Sequence, residues 1–336
     1  MPALAALVAF AATCLLTPLV RAGARRWGFL DRPNERSSHS RIVPRGGGVA
    51  ILAGVGLTLA LAPSLWPPKP AAAALLAGAL VVAAVGLCDD RFGLSPAVRL
   101  AFQVLAAVGF VSVAGGIDRV PLPHPLDVTL GPAGPAAGVL WLVTVVNFYH
   151  FMDGIDGLAG VQAVVTGAGI ALAAFDPFAS LLGAALAGAA AGFLIFNWSP
   201  ASIFLGDVGS GVVGFALAAL PFLAVPESRA STLSFVAASL WLFLADATWT
   251  LVRRMARGER PHQAHREHLY QRLVSTGWGH SRVSGGMGVA AAALAAAALA
   301  ALRSAQPWAR WAPWFLAALV FSAELALVAR REARRV

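Results

Sequence analysis

The sequence predicts an all-α polytopic membrane protein with about eleven transmembrane helices, its N-terminus outside and its C-terminus in the cytoplasm. Three observations predict it. Of 336 residues, 58% are hydrophobic and 12% charged, with a mean hydropathy of +0.73, too little polar surface for a soluble globule of this length. Apolar runs of roughly 17 to 20 residues recur along the chain, each able to cross a hydrocarbon core about 30 Å thick as a helix. Arginine clusters fall beside alternate runs rather than all of them.

The runs lie at about 2–20, 47–63, 71–87, 98–115, 134–150, 157–174, 178–196, 208–225, 230–251, 284–302 and 309–329. The first has no basic residues before it, and Arg21, Arg25 and Arg26 follow it, so it reads as a retained span rather than a secretory signal. The Ala-rich stretch 290–301 reads as a span whose small residues permit close packing. Residues 1–336 form one transmembrane domain, with cytoplasmic loops expected at about 21–46, 88–97, 151–156, 197–207 and 252–283. On the other side, the Pro- and Gly-punctuated stretch 115–135 is expected to form a small hairpin.

Charge sets the orientation. Segments 21–46 and 252–282 hold seven Arg each, the tail adds Arg330, Arg331, Arg334 and Arg335, and Arg91 and Arg99 flank the third and fourth spans. Twenty of 25 basic residues thus share one side, which the positive-inside rule makes cytoplasmic. The formal charge of +9 is therefore largely a product of topology and argues against a nucleic-acid partner. The same loops attract anionic headgroups and phosphorylated, nucleotide-like substrates.

Acidic residues are costly near a membrane interior, so their placement is informative. Asp89 and Asp90 end the third run, Asp153 and Asp156 follow the fifth, and Asp207 precedes the eighth, all at the predicted cytoplasmic boundary. Convergent carboxylates beside an arginine surplus point to a divalent cation and a polyphosphate, because Mg²⁺ takes one or two carboxylates, waters and phosphate oxygens. Gly46–Gly48, Gly154, Gly157, Gly206 and Gly209 let backbone amides approach phosphate near helix starts. Asp246 and Glu324 lie in or near spans without a motif and read as buried polar or headgroup contacts.

Taken together, these motifs resemble the polyprenyl-phosphate N-acetylhexosamine-1-phosphate transferase family, which includes the phospho-MurNAc-pentapeptide transferases. The resemblance runs from about residue 31 to 273. DRPNERSSHSRIVPRGGG (31–48) is similar to the family's first cytoplasmic loop, with His39 and Arg45 in place. Asp89-Asp90 resembles its paired-aspartate motif, followed by Arg99 and Gln103, where Arg stands for the more usual Lys. NFYHFMDGIDGLAG (147–160) resembles its central Asn/Asp motif, and FNWSPASIFLGDVGSG (196–211) its nucleotide and metal segment. PHQAHREHLYQRL (261–273) is similar to the His-rich loop of members that initiate bacterial surface polysaccharides. One position departs: His150 stands where the central motif usually has a second Asn, and imidazole is not a preferred Mg²⁺ ligand.

The resemblance implies a multi-pass enzyme of the bacterial inner membrane, its site facing the cytoplasm, at the first membrane step of a cell-envelope polysaccharide such as O-antigen. Polyprenyl (undecaprenyl) phosphate would attack the β-phosphorus of a UDP-N-acetylated sugar, giving polyprenyl-diphosphate sugar and UMP. It implies Mg²⁺, with Mn²⁺ as alternative, held by Asp207 and Asp153. Asp156 would contact the nucleoside, and Phe204 would stack on uracil. Asp89 and Asp90 are the candidates for positioning or deprotonating the lipid phosphate, a monoester already largely dianionic at neutral pH. Asn147, His150, Asn197 and Gly206 would line the donor site with His39, Arg45 and Arg99. Direct attack and a covalent aspartyl-phosphate route both stay open, as do the sugar, the lipid length and a homodimer.

His262, His265 and His268 recur every three residues, spreading over about 120° on an α-helix. They lack a HExxH pattern or an accompanying Cys, so the resemblance's reading, contact with the pyrophosphate-sugar assisted by Arg266, is preferred to zinc. His124 and His280 read as structural. A secondary transporter is the alternative from another class, and it should carry polar groups near the bilayer midplane in paired halves.

Overall fold

A computed structural model describes residues 1–33, 41–61, 70–260 and 265–334. His39 and His262 lie outside them. The described residues form thirteen α-helices: α1 Pro2–Trp27, α2 Gly48–Ala60, α3 Pro70–Phe92, α4 Pro96–Ala114, α5 Gly134–Phe151, α6 Leu158–Ala173, α7 Pro177–Asn197, α8 Gly206–Ala219, α9 Pro226–Ser239, α10 Trp241–Ala256, α11 Leu269–Ser275, α12 His280–Arg303 and α13 Ala312–Ala333. Many outward side chains are apolar, among them Leu7, Leu15 and Leu19 on α1 and Leu80 and Leu87 on α3, as expected where lipid is the solvent.

Each predicted run coincides with a helix or a bent pair. Among the described residues, eight helices are long and apolar enough to cross a membrane, or nine if the bent pair counts as one span. The difference from eleven lies in α2 and α6, with 13 and 16 residues; at 1.5 Å per residue both fall short of a core about 30 Å thick.

The centre of the bundle is α7, buried along most of its length and rich in Ala and Gly, which lets α1 and α6 pack against it closely. Its start is fixed by Asp176, whose carboxylate accepts from the N–H groups of Phe178 (2.9 Å) and Ala179 (3.0 Å), with Pro177 at the first helical position.

The predicted span 230–251 is broken: α9 and α10 meet at 71°. The Ser239 hydroxyl donates back to the Phe235 carbonyl (2.9 Å), and the Ser239 carbonyl accepts from Gln162 of α6 (2.8 Å) instead of continuing the ladder. The bend directs α10 toward the end of the bundle that carries Asp207.

Two connections hold the ends. In the loop after α1, β1 (Leu30–Asp31) pairs antiparallel with β2 (Val43–Pro44), delivering Arg45 to the acidic end. At the opposite end the expected hairpin is present as an antiparallel bridge between Arg119 and Thr129. Arg229 closes that end, its guanidinium donating to the carbonyls of Gly116 (2.9 Å), Ala114 (2.9 Å) and Phe222 (3.3 Å).

Candidate active site

Adjacent positions on a helix point about 100° apart, so Asp89 and Asp90 at the end of α3 serve different neighbours. The Asp90 carboxylate is fully enclosed and accepts from the backbone N–H groups of Asp207 and Val208, each at 3.1 Å. It therefore caps the start of α8. Arg45 backs it, Nε lying 3.6 Å from Oδ1 and Nη2 donating to the Asp90 carbonyl. Two glycines make this junction possible. A Cβ on Gly86 would sit 2.6 Å from the Val208 backbone, and Gly206, at φ +77°, would put one 2.7 Å from Asp90 Oδ2. In this geometry Asp90 sets the position of Asp207.

Asp89 accepts from the Leu94 N–H (2.6 Å) and from Arg99 (2.7 Å). It thereby holds Arg99, on the first turn of α4, with Nη1 3.5 Å from Asp207 Oδ2. The other Asp207 oxygen faces His150, whose Nδ1 lies 3.3 Å away and 3.2 Å from the Ser210 hydroxyl. One turn earlier on α5, Asn147 donates to Gln103 of α4 (2.7 Å). Arg99, Asp207, His150 and Asn147 form the polar end of a narrow slot of about 40 Å³ whose other walls are apolar, including Val82, Phe102 and Val146.

Beside this slot, burial and then the charges of Asp207, Asp90 and Asp31 push the Asp153 carboxyl well above the usual carboxylate range. Burial also works against the charge of Asp156. There, however, the hydrogen bond from His280 (3.3 Å) and the Ala201 N–H (3.2 Å) hold the carboxyl below its ordinary value. Asn197 is buried and joins two loops, accepting from the Gly157 N–H and donating to the Ile203 carbonyl, both at 3.0 Å. The half-buried Phe204 joins the first loop, its N–H donating to Pro44 (2.8 Å) and its carbonyl accepting from Gly47 (2.9 Å).

The histidine segment folds against the same end. His268 is buried with Nδ1 3.3 Å from Asp246 Oδ1. The Asp246 carboxylate also accepts from the N–H groups of Leu269 (2.8 Å) and Tyr270 (3.2 Å), and the Tyr270 hydroxyl donates to the Phe151 carbonyl (2.9 Å). Rings of His265, His268, Phe151 and His150 follow one another at 5.0, 6.1 and 6.3 Å. Burial and the neighbouring His268 and Arg254 lower the His265 pKa to about 4, so at neutral pH it is an uncharged hydrogen-bonding group, not a cation for a pyrophosphate. Arg266 is exposed on this segment.

Glu267 anchors the segment. Burial opposes its charge, but Arg257, Arg253 and Arg254 outweigh that and set its pKa at about 2 against an ordinary 4.5. A depressed carboxylate stabilises the fold fully above the unfolded pKa and loses that contribution as pH falls through the folded one. Glu267→Gln should therefore lower Tm at pH 7 by an amount that shrinks as pH drops from about 4.5 toward 2. A pH-independent gap between the two proteins would contradict this.

The glycosyl transferase family 4 model matches residues 72–225, which include every acidic residue of the slot. Over 318 residues the chain is 32% identical to the decaprenyl-phosphate N-acetylglucosaminephosphotransferase of Mycolicibacterium smegmatis, covering 83% of this chain and 77% of that one. The chain belongs to glycosyl transferase family 4. It is also 29% identical over 280 residues to a probable undecaprenyl-phosphate N-acetylglucosaminyl 1-phosphate transferase of Bacillus subtilis, covering 82% of this chain and 77% of that one. A Salmonella typhi undecaprenyl-phosphate alpha-N-acetylglucosaminyl 1-phosphate transferase is 28% identical over 284 residues, with 80% and 75% covered.

In this family 4 chain three residues acquire places that their sequence context did not give them. Asp246 is buried and polar as expected, and its partners show that it organises the histidine segment; His280 pairs with Asp156. Ser210, one turn after Asp207, shares the His150 ring. The topological signal existed for Asp246 and His280, since both lie at the end of the bundle predicted to carry the acidic motifs.

Proposed function

We propose that the chain transfers N-acetylglucosamine 1-phosphate from its UDP derivative to a polyprenyl phosphate, releasing UMP, at the cytoplasmic face of a bacterial inner membrane. The observation that carries this reading is the Arg99–Asp207–His150 constellation at the polar end of a slot with apolar walls. A prenyl chain matches the apolar walls, and Arg99 offers a planar donor pair to its phosphate. A phosphate oxygen of the lipid forms a bond to the β-phosphorus of the donor, the bond from that phosphorus to the bridging oxygen breaks, and the electron pair leaves with UMP. The relatives' names support N-acetylglucosamine as the sugar, and their covered length supports the whole reaction.

The donor set fits a divalent cation. Burial and then the charge of Asp207 raise Asp153, and a hard dication with waters and phosphate oxygens suits two such carboxylates. Mg²⁺, or Mn²⁺, held by Asp207 and Asp153 would neutralise charge developing on the phosphoryl oxygens. His150, 3.3 Å from Asp207, orients that carboxylate. Asp156, held with His280 and the Ala201 N–H, offers a fixed acceptor for the nucleoside, and Phe204 a ring for its base. The neutral His265 suits sugar hydroxyls.

The reading is tested with purified protein, polyprenyl phosphate and a panel of UDP-sugars with and without Mg²⁺. Lipid-linked product is expected first with UDP-N-acetylglucosamine, and only with the metal. Transport is disfavoured because the polar groups gather at one end, and a flux of donor without lipid product would reverse that choice. Within the same assay, Asp246→Asn should remove one acceptor from the start of α11 and loosen His268. Leaving a buried donor unsatisfied costs about 1–3 kcal/mol. The expected result is a raised KM for the donor with a smaller change in kcat, and an unchanged KM would count against the role of that segment.

A further inference from the structure

A cavity at the end of the bundle opposite Asp207 has about 470 Å³, within the range of ligand sites. It is walled by the hairpin 115–130, the first half of α9, the end of α12 and the turn before α13. Its charges are arranged unequally. Arg119 and His124 both pair with Asp127, at 3.0 and 3.2 Å. Glu227 and Arg310, which line the same cavity from α9 and from the turn at Pro307–Trp311, have no ion-pair partner among the described residues, each other included. Among the described residues, an exposed anion and an exposed cation therefore face a common space without pairing with each other.

Down the α9 wall, Ser228, Ser231 and Ser234 recur every three residues; Ser228 donates to the Val225 carbonyl (3.2 Å), and Ser231 and Ser234 present hydroxyls along the cavity. Its floor is apolar, with Phe235, Ala298 and Leu302. Trp308, 70% exposed, lies two residues from Arg310, and indole rings concentrate at membrane interfaces.

We propose that this cavity binds the headgroup of a zwitterionic phospholipid of the phosphoethanolamine class, its phosphate on Arg310 and the serine hydroxyls and its ammonium on Glu227. A doubly charged ligand of this kind engages both groups at once. A purely anionic headgroup leaves Glu227 unpaired, and a quaternary amine has no N–H to donate to it. The acyl chains leave over the apolar floor toward the lipid. The site is separate from the transfer chemistry.

The test uses the purified, delipidated full chain, with lipid retention read by native mass spectrometry for phosphatidylethanolamine, phosphatidylcholine and phosphatidylglycerol. Wild type is expected to hold the ethanolamine lipid about fivefold more tightly than the glycerol lipid, the scale of one partly exposed charge pair. Glu227→Gln should abolish that preference, and Arg310→Ala should weaken both lipids by about the same factor. Soluble glycerophosphoethanolamine should compete. Equal retention of the three lipids, unaltered preference in Glu227→Gln, or failure of the soluble headgroup to compete would each overturn the proposal. Transferase activity in both variants is expected to equal that of wild type.

Discussion

Asp207→Asn is expected to lower kcat by at least about 10³-fold while leaving the fold intact, the upper range for losing one electrostatic group at a reacting centre. Asp207 is the acidic residue of the slot with both oxygens directed at functional groups, Arg99 at 3.5 Å and His150 at 3.3 Å, and its side chain is 23% exposed. Its fold contribution runs through its backbone N–H, which still donates to Asp90 in the variant. A carboxylate in the first turn of α8 also gains from the helix dipole, but only by about 0.3–1 kcal/mol. Against that, Asp89 and Asp153 repel it, so neutralising it relieves repulsion. Tm should be unchanged or higher, the usual relation between stability and a site built of repelling groups. Kinetics at saturating Mg²⁺ and donor check this, and activity within about tenfold of wild type would remove Asp207 from the centre of the reaction.

Asp90→Ala should behave in the opposite way, losing stability and activity together. Its enclosed carboxylate takes two backbone N–H groups at 3.1 Å and pairs with Arg45. Removal leaves those donors and a half-buried guanidinium unsatisfied, and breaking a buried pair from one side costs about 3–5 kcal/mol. The start of α8 then loses its cap and Asp207 its position, so kcat falls as an indirect consequence. Thermal unfolding separates the two aspartates: a large drop in Tm for Asp90→Ala and little for Asp207→Asn. An Asp90→Ala protein with wild-type Tm and lost kcat would return Asp90 to the substrate.

What the sequence disclosed and what it concealed follow from the range of the interactions. The apolar runs are local, and each coincides with a helix or bent pair. The hairpin at 115–135 was legible from its Pro and Gly punctuation. The break at Leu240 was not, because it depends on Gln162 of α6 reaching the Ser239 carbonyl from 77 residues away. The separate tasks of Asp89 and Asp90 were hidden for a related reason. Adjacency in a motif reads as a pair, whereas helix geometry sends one side chain to Arg99 and the other to the start of α8. The partners of Asp246 and His280 were not legible, because they lie 22 to 24 and 124 residues away respectively. By contrast, Asp207, His150 and Arg99 were recognisable from motif order, and the fold brings all three to one slot.

The most direct measurement is the fate of the donor's β-phosphate. Purified protein given UDP-N-acetylglucosamine labelled with ³²P at the β-position, polyprenyl phosphate and Mg²⁺ should place the label in the lipid fraction as a diphosphate-linked sugar, with unlabelled UMP as the soluble product. Release of labelled UDP, with sugar alone on the lipid, would show cleavage at the sugar carbon and contradict the phosphoryl-transfer account.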